Sequence, residues 1–149
     1  MAESSVAPGP VKVLVIEDNA DDRELLMRQL RKSGLGEHVK FISDGKEALD
    51  LLTGPEAPPP NDLIIILLDL RLPSLSGLEL LRRLRALPRF HSLPVTVMTS
   101  SNDPRDLEEC RRLNVVNYLN KPVTFDSFSK AVADIFHPPK TAGESAAST

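Results

Sequence analysis

Residues 63 to 69 constrain the fold of this chain more than any other stretch. Leu63-Ile64-Ile65-Ile66-Leu67-Leu68 is an unbroken apolar run that stops at Asp69. Six apolar residues in succession read as a strand buried on both faces, the signature of a parallel sheet. In open α/β sheets the carboxyl end of such a strand is where ligands bind. Asp69 therefore ends a core strand at a position suited to chemistry.

Strand and helix signals alternate on either side of this run. Val11–Ile16 reads as a first strand and Val39–Ile42 as a second. Residues 63–68 give the third, Val95–Met98 the fourth and Val115–Leu119 the fifth. A helix is expected from about Asp21 to Ser33, stopped by Gly34. Another runs from Asp44 to Thr53, where Asp44 and Glu47 can form a capping pair. The stretch Gly54-Pro55-Glu56-Ala57-Pro58-Pro59-Pro60 can only be loop. Ser76-Gly77-Leu78-Glu79 opens a third helix, expected to reach about Leu87, and Asp103-Pro104 opens a fourth. Thr124 to Phe136 forms a fifth, with Phe125, Phe128, Val132, Ile135 and Phe136 as its apolar face. Five strands alternating with five helices specify an α/β fold, a doubly wound five-stranded parallel sheet. Residues 1–10 and 137–149 are expected to be disordered segments flanking one domain at 11–136.

Composition excludes several classes. A net charge of -3 with no long basic run argues against a nucleic-acid partner. Arg82, Arg83 and Arg85, interrupted by Leu84 and followed by Arg89, read as the solvated side of an amphipathic helix. No apolar stretch reaches membrane-spanning length, and the N-terminus lacks signal-peptide character. No membrane association is expected. Cys110 is the single cysteine and has no partner for a disulfide, which fits a cytoplasmic location. His38, His91 and His137 stand alone in the sequence.

The polar residues at the predicted strand ends form a set. Glu17-Asp18 closes the first strand and Asp69 the third. Thr99 and Ser100 close the fourth, and Lys121-Pro122 follows the fifth, with Tyr118 inside it. Three carboxylates in one pocket repel one another unless a cation neutralises them. All-oxygen ligands favour a hard ion, Mg2+ before Zn2+.

This pattern resembles the receiver domain of two-component response regulators over about Val11 to Phe136. Asp69 with Pro73 and Gly77 matches the family's phosphoacceptor segment, and Glu17 with Asp18 its acidic pair. Thr99 matches the family's hydroxyl, Tyr118 its switch aromatic, and Lys121-Pro122 its Lys-Pro pair. The spacings from Asp69 to Thr99 and on to Lys121 resemble those of single-domain chemotaxis regulators. Ile16-Glu17-Asp18-Asn19, the proline-rich loop before Asp62 and residues 67–73 resemble the small regulators paired with bacterial phytochromes. Leu72 stands where the family commonly has methionine, an apolar exchange of small consequence.

The resemblance implies a flavodoxin-like receiver fold with strand order 2-1-3-4-5. It implies that Asp69 accepts a phosphoryl group from a sensor histidine kinase, of which a bacterial phytochrome is one candidate. Glu17, Asp18, Asp69 and the backbone carbonyl of Arg71 would bind Mg2+. Thr99 and Lys121 would hold the phosphoryl oxygens, Tyr118 would report the switch, and Arg71 and Ser101 would tune phosphate lifetime. It also implies a homodimer through the fourth helix, fifth strand and fifth helix, and a switch with no output domain of its own. Two other readings compete. A haloacid-dehalogenase-type phosphatase needs a second acid two residues after the nucleophile, and Arg71 occupies that position. A docking module that is never phosphorylated would usually lack one of the acid, hydroxyl or lysine residues, and none is missing. The chain is therefore expected to be a switch rather than an enzyme acting on other substrates.

Overall fold

The apolar run does become a strand with both faces covered. In the computed structural model, which describes residues 11–55, 57–58, 62–100 and 103–136, that strand is the centre of a five-stranded sheet. The elements follow in the order β1 (Val13–Ile16), α1 (Ala20–Lys32), β2 (Val39–Ile42), α2 (Gly45–Thr53), β3 (Ile65–Asp69) and α3 (Gly77–Arg85). A single 3-10 turn (Pro88–Phe90), β4 (Val95–Thr99), α4 (Pro104–Arg112), β5 (Asn117–Asn120) and α5 (Phe125–Phe136) complete it. The sheet order is β2-β1-β3-β4-β5 and every pairing is parallel.

The side-chain alternation of the strands splits the core into two layers. Leu14, Ile16, Ile66, Leu68, Val95 and Val97 face one way and pack with Leu52, Leu80, Leu81, Leu84 and Phe90. Val13, Val15, Ile65, Leu67 and Met98 face the other way, onto Leu26, Leu30 and Phe128. Each fully buried side chain of this size stabilises the fold by roughly 1.5–3 kcal/mol. β3 contributes to both layers, which is why its sequence shows no polar alternation.

Local signals set the helix ends. The side chains of Asn19, Asp44, Ser76 and Asp103 each accept a hydrogen bond from a first-turn N–H of α1, α2, α3 and α4. Gly34 sits at φ 79 just past α1, the left-handed conformation that ends a helix cheaply in glycine. A Cβ on Gly77 would collide with the carbonyl of Asp69, so only glycine lets α3 start this close to the end of β3.

Several boundaries differ from the sequence reading. β1 begins at Val13 because Lys12 and Val13 both donate to the carbonyl of His38. β3 runs from Ile65 to Asp69, so Asp69 is its last residue and not the one beyond it. β5 begins at Asn117, because the N–H of Val115 is spent closing α4 on the carbonyl of Cys110. α3 stops at Arg85, short of Leu87, and a 3-10 turn follows it with Pro88 in its first turn and Phe90 buried. Phe125 is 39% exposed rather than part of an apolar face, with Lys32 Nζ 5.0 Å from its ring centroid. Phe128 is fully buried as expected. The side chains of Val132, Ile135 and Phe136 lie outside the described residues, as do segments 1–10 and 137–149.

Arg85 is the clearest departure. Arg82 and Arg83 are exposed, as a solvated helix side requires. Arg85 instead turns inward, and its guanidinium donates to five main-chain carbonyls, those of Leu113, Phe90, His91, Leu93 and Asn114, at 2.7–3.2 Å. Burial holds its pKa below the usual arginine value. Among the described residues no helix is long and apolar enough to cross a membrane.

Candidate functional site

The parallel register brings the predicted site residues to one rim. Ile16 pairs with Leu68 and Asp69 with Met98, so Glu17 follows β1 beside the end of β3. Thr99 pairs with Asn120, and the N–H of Lys121 donates to the carbonyl of Thr99 at 2.9 Å. Glu17, Asp18, Asp69, Arg71, Ser100 and Lys121 share an open cleft at the carboxyl ends of the strands. The Lys121-Pro122 peptide bond is cis.

Asp69 is 4% exposed. Its Oδ1 accepts the N–H of Arg71 at 3.0 Å, and its Oδ2 accepts Lys121 Nζ at 2.9 Å. Glu17 is fully buried. Its Oε2 accepts the N–H of Asn19 at 3.1 Å. Its Oε1 lies 2.7 Å from Lys121 Nζ, an ion pair. Burial pushes the Glu17 carboxyl up to about 7, against the lowering effect of Lys121. Burial also works against the charge on Lys121, yet its carboxylate partners Glu17, Asp22 and Asp69 prevail and raise its pKa above the usual lysine value.

Asp18 is exposed, and its carboxylate completes the cluster. One oxygen from each of Glu17, Asp18 and Asp69 lies within 4.8 Å of the others. Arg23 holds the chain here by donating to the carbonyls of Glu17 and Asp18, both at 3.2 Å. Three carboxylates around one point, an all-oxygen donor set, suit a hard divalent cation. The residues present fit Mg2+.

Thr99 is fully buried, and Tyr118 is half-buried beside it. Burial raises the Tyr118 phenol, while a hydrogen bond with the Thr99 side chain lowers it. The aromatic is thus turned toward the hydroxyl. Arg71 has an exposed side chain, and Ser101 lies outside the described residues. Sequence reasoning missed Asp22, whose Oδ2 accepts Lys121 Nζ at 2.9 Å. A signal was available. With Asn19 as the cap, Asp22 is the third helical residue, and helical side chains lean toward the N-terminus. Cys110 is buried, which pushes its thiol up to about 11, as befits a core residue.

Residues 13–133 match the family model described as the response regulator receiver domain. The chain belongs to this family. The "Probable methanogenesis regulatory protein FilR2" of Methanothrix harundinacea is 34% identical over 129 residues, covering 87% of this chain and 83% of that protein. The two-component response regulator ORR1 of rice is 28% identical over 117 residues. That match covers 77% of this chain but only 51% of ORR1, so the chain spans about half of that relative. Among solved structures, the bacteriophytochrome response regulator AtBRR is 37% identical with a TM-score of 0.71, over 87% of this chain and 94% of that one. The response regulator Rcp1 in its Mn2+-bound form is 28% identical with a TM-score of 0.72, over 89% of this chain and 98% of that one. The fold is that of the flavodoxin-like receivers.

Proposed function

We propose that this receiver domain accepts a phosphoryl group on Asp69 from the phosphohistidine of a sensor kinase. The observation that carries the reading is the convergence of Lys121 and the Glu17/Asp18 pair on a single strand-end carboxylate. An Asp69 carboxylate oxygen would attack phosphorus, and the phosphorus–nitrogen bond would break with its electron pair passing to the kinase imidazole. Such a transfer needs alignment and charge neutralisation more than covalent assistance. Glu17, Asp18, Asp69 and the backbone carbonyl of Arg71 would hold Mg2+, which supplies positive charge to the transferring oxygens. Lys121 would donate to one phosphoryl oxygen and the Thr99 hydroxyl to another. Asp69→Asn should abolish labelling by a kinase or by acetyl phosphate. Undiminished label on another residue of that variant would refute the assignment.

Similarity to the bacteriophytochrome response regulators, at 36% and 37% identity, supports a proposal for the kinase class. A phytochrome-type histidine kinase is the first donor to test, by comparing its transfer rate with that of unrelated kinases. The output would be a switch in which Thr99 shifts toward the phosphoryl group and Tyr118 follows. The surface of α4, β5 and α5 would then differ between the two states. Thr99→Ala should accept phosphate without that change. Nuclear magnetic resonance shifts around Tyr118 that match wild type on adding beryllium fluoride would exclude this route. The same face is proposed to pair two copies, since Val116 is 49% exposed there and α4 displays both charge signs. Light scattering that finds only monomer, with and without beryllium fluoride, would remove the dimer.

A further inference from the structure

Lys121 has more carboxylate partners than its reaction requires. Its ammonium donates to Asp22 and Asp69 and is ion-paired to Glu17, all within 2.9 Å. Glu17 and Asp69 belong to the acid cluster that fits a cation, and Asp22 does not. Asp22 is therefore an anion that a bound cation would leave without a new partner. It is also firmly placed. Its own N–H is bonded to the Asn19 cap at 2.9 Å, and the first turn of α1 carries it. Its side chain remains 30% exposed, at the edge of the cleft.

We propose that Asp22 is a built-in competitor for Lys121, a positioning residue that holds the ammonium in the resting site and weakens its grip on a phosphoryl group at Asp69. This inference rests on the reading of Asp69 as acceptor. An ammonium has three protons, and each shared with a carboxylate is denied to a phosphoryl oxygen. Asp22 Oδ2 and Asp69 Oδ2 bind the same nitrogen, so they are at most ~6 Å apart. A phosphoryl group on Asp69 would bring added negative charge beside the Asp22 anion and draw on the same lysine. Asp22 thus opposes the phosphorylated state through Lys121. The neutral residue in its place would still accept the lysine N–H, keeping the geometry while removing the charge.

The test is the binding of beryllium fluoride, at saturating Mg2+, to the whole chain and its variants. Asp22→Asn should bind roughly three- to tenfold more tightly than wild type, the scale of one nearby charge at a partly exposed site. Asp22→Glu, which keeps the charge, should stay within about twofold of wild type. Mg2+ affinity without beryllium fluoride should not rise in Asp22→Asn. A mere loss of folding stability would weaken both ligands, so tighter binding of one alone separates the competitor role from a structural one. Equal or weaker beryllium fluoride binding by Asp22→Asn overturns the inference while leaving the acceptor reading intact. A wild-type protein that binds none overturns both.

Discussion

Two inward-turned cations sit at opposite rims of the same sheet, and they are solvated by different groups. Lys121, at the carboxyl ends of the strands, is surrounded by the carboxylates of Glu17, Asp22 and Asp69. Arg85, near the amino ends of β4 and β5, is surrounded by carbonyls, among them those of Leu93, Leu113 and Asn114. Carbonyl partners are neutral dipoles fixed by the backbone. They accept from all three guanidinium nitrogens and add no negative charge, so the Arg85 cage has no reason to respond to a ligand. The carboxylate cage is overfilled. Three acids answer one ammonium and Asp18 adds a fourth nearby, so the rim stays attractive to further positive charge. One cage fastens the 3-10 turn and the α4–β5 loop to the end of α3. The other is a site that only a second cation can balance.

The largest expected effect breaks this contrast at both ends. Arg85→Leu leaves several inward carbonyls without a donor and should destabilise the protein by about 3 kcal/mol, whether or not Mg2+ is present. Lys121→Leu leaves an unpaired acid cluster and should cost about 2–3 kcal/mol without Mg2+. Because the freed carboxylates favour the ion, millimolar Mg2+ should restore most of that loss. Urea denaturation of both variants with and without Mg2+ is the measurement. If Mg2+ rescues Arg85→Leu as well, or fails to rescue Lys121→Leu, the two cages do not differ as described.

The next effect is pH-dependent and belongs to the carboxyl rim alone. Burial lifts Glu17 from 4.5 to about 7 in the metal-free fold. Across that window the folded protein keeps a proton that the unfolded chain has released. Stability should therefore fall as pH rises from about 4.5 to 7, by on the order of 2 kcal/mol. Mg2+ competes with that proton, so its stabilising effect should grow over the same interval and approach about 2.7 kcal/mol at a hundredfold excess over Kd. Asp18→Ala should lose most of the Mg2+ response but keep the metal-free pH slope. Thermal melts across this pH range decide it. A metal-free stability that rises from pH 4.5 to 7 would show that Glu17 is not the buried acid described.

The contrast also marks how far the sequence could be read. The fold was legible because β3 carries no polar residue before Asp69 and because Asp44, Ser76 and Asp103 sit where helix caps belong. Asp69, Glu17, Asp18, Thr99 and Lys121 were legible as a set because strand ends in a parallel sheet converge. Asp22 was hidden by one residue of helix phase. With the start of α1 read at about Asp21 instead of Ala20, nothing marked Asp22 as a residue directed at the strand ends. Arg85 was hidden for a related reason. Its charge placed it with Arg82 and Arg83, while its inward direction depends on where α3 stops and on the turn that follows. Charge is read from composition, but what solvates a charge is decided by loops that periodicity does not describe.

The smallest effect sharpens that last distinction, since it compares two arginines three residues apart on α3. Arg82 is exposed and bonded to Glu79 and Glu109, both at 3.0 Å, the second pair tying α3 to α4. The carboxylates raise its pKa, whereas burial lowers that of Arg85. Exposed pairs of this kind contribute about 0.2–1 kcal/mol, because water screens them and two long side chains must be held still. Arg82→Met should therefore cost less than about 1 kcal/mol, and 1 M salt should erase most of that cost. A double-mutant cycle with Glu109→Gln isolates the bridge between the helices. Arg85→Leu should show no such salt dependence, since neutral carbonyls are its partners. A coupling between Arg82 and Glu109 well above 1 kcal/mol would mean that α3 and α4 are fastened from the surface as firmly as from within.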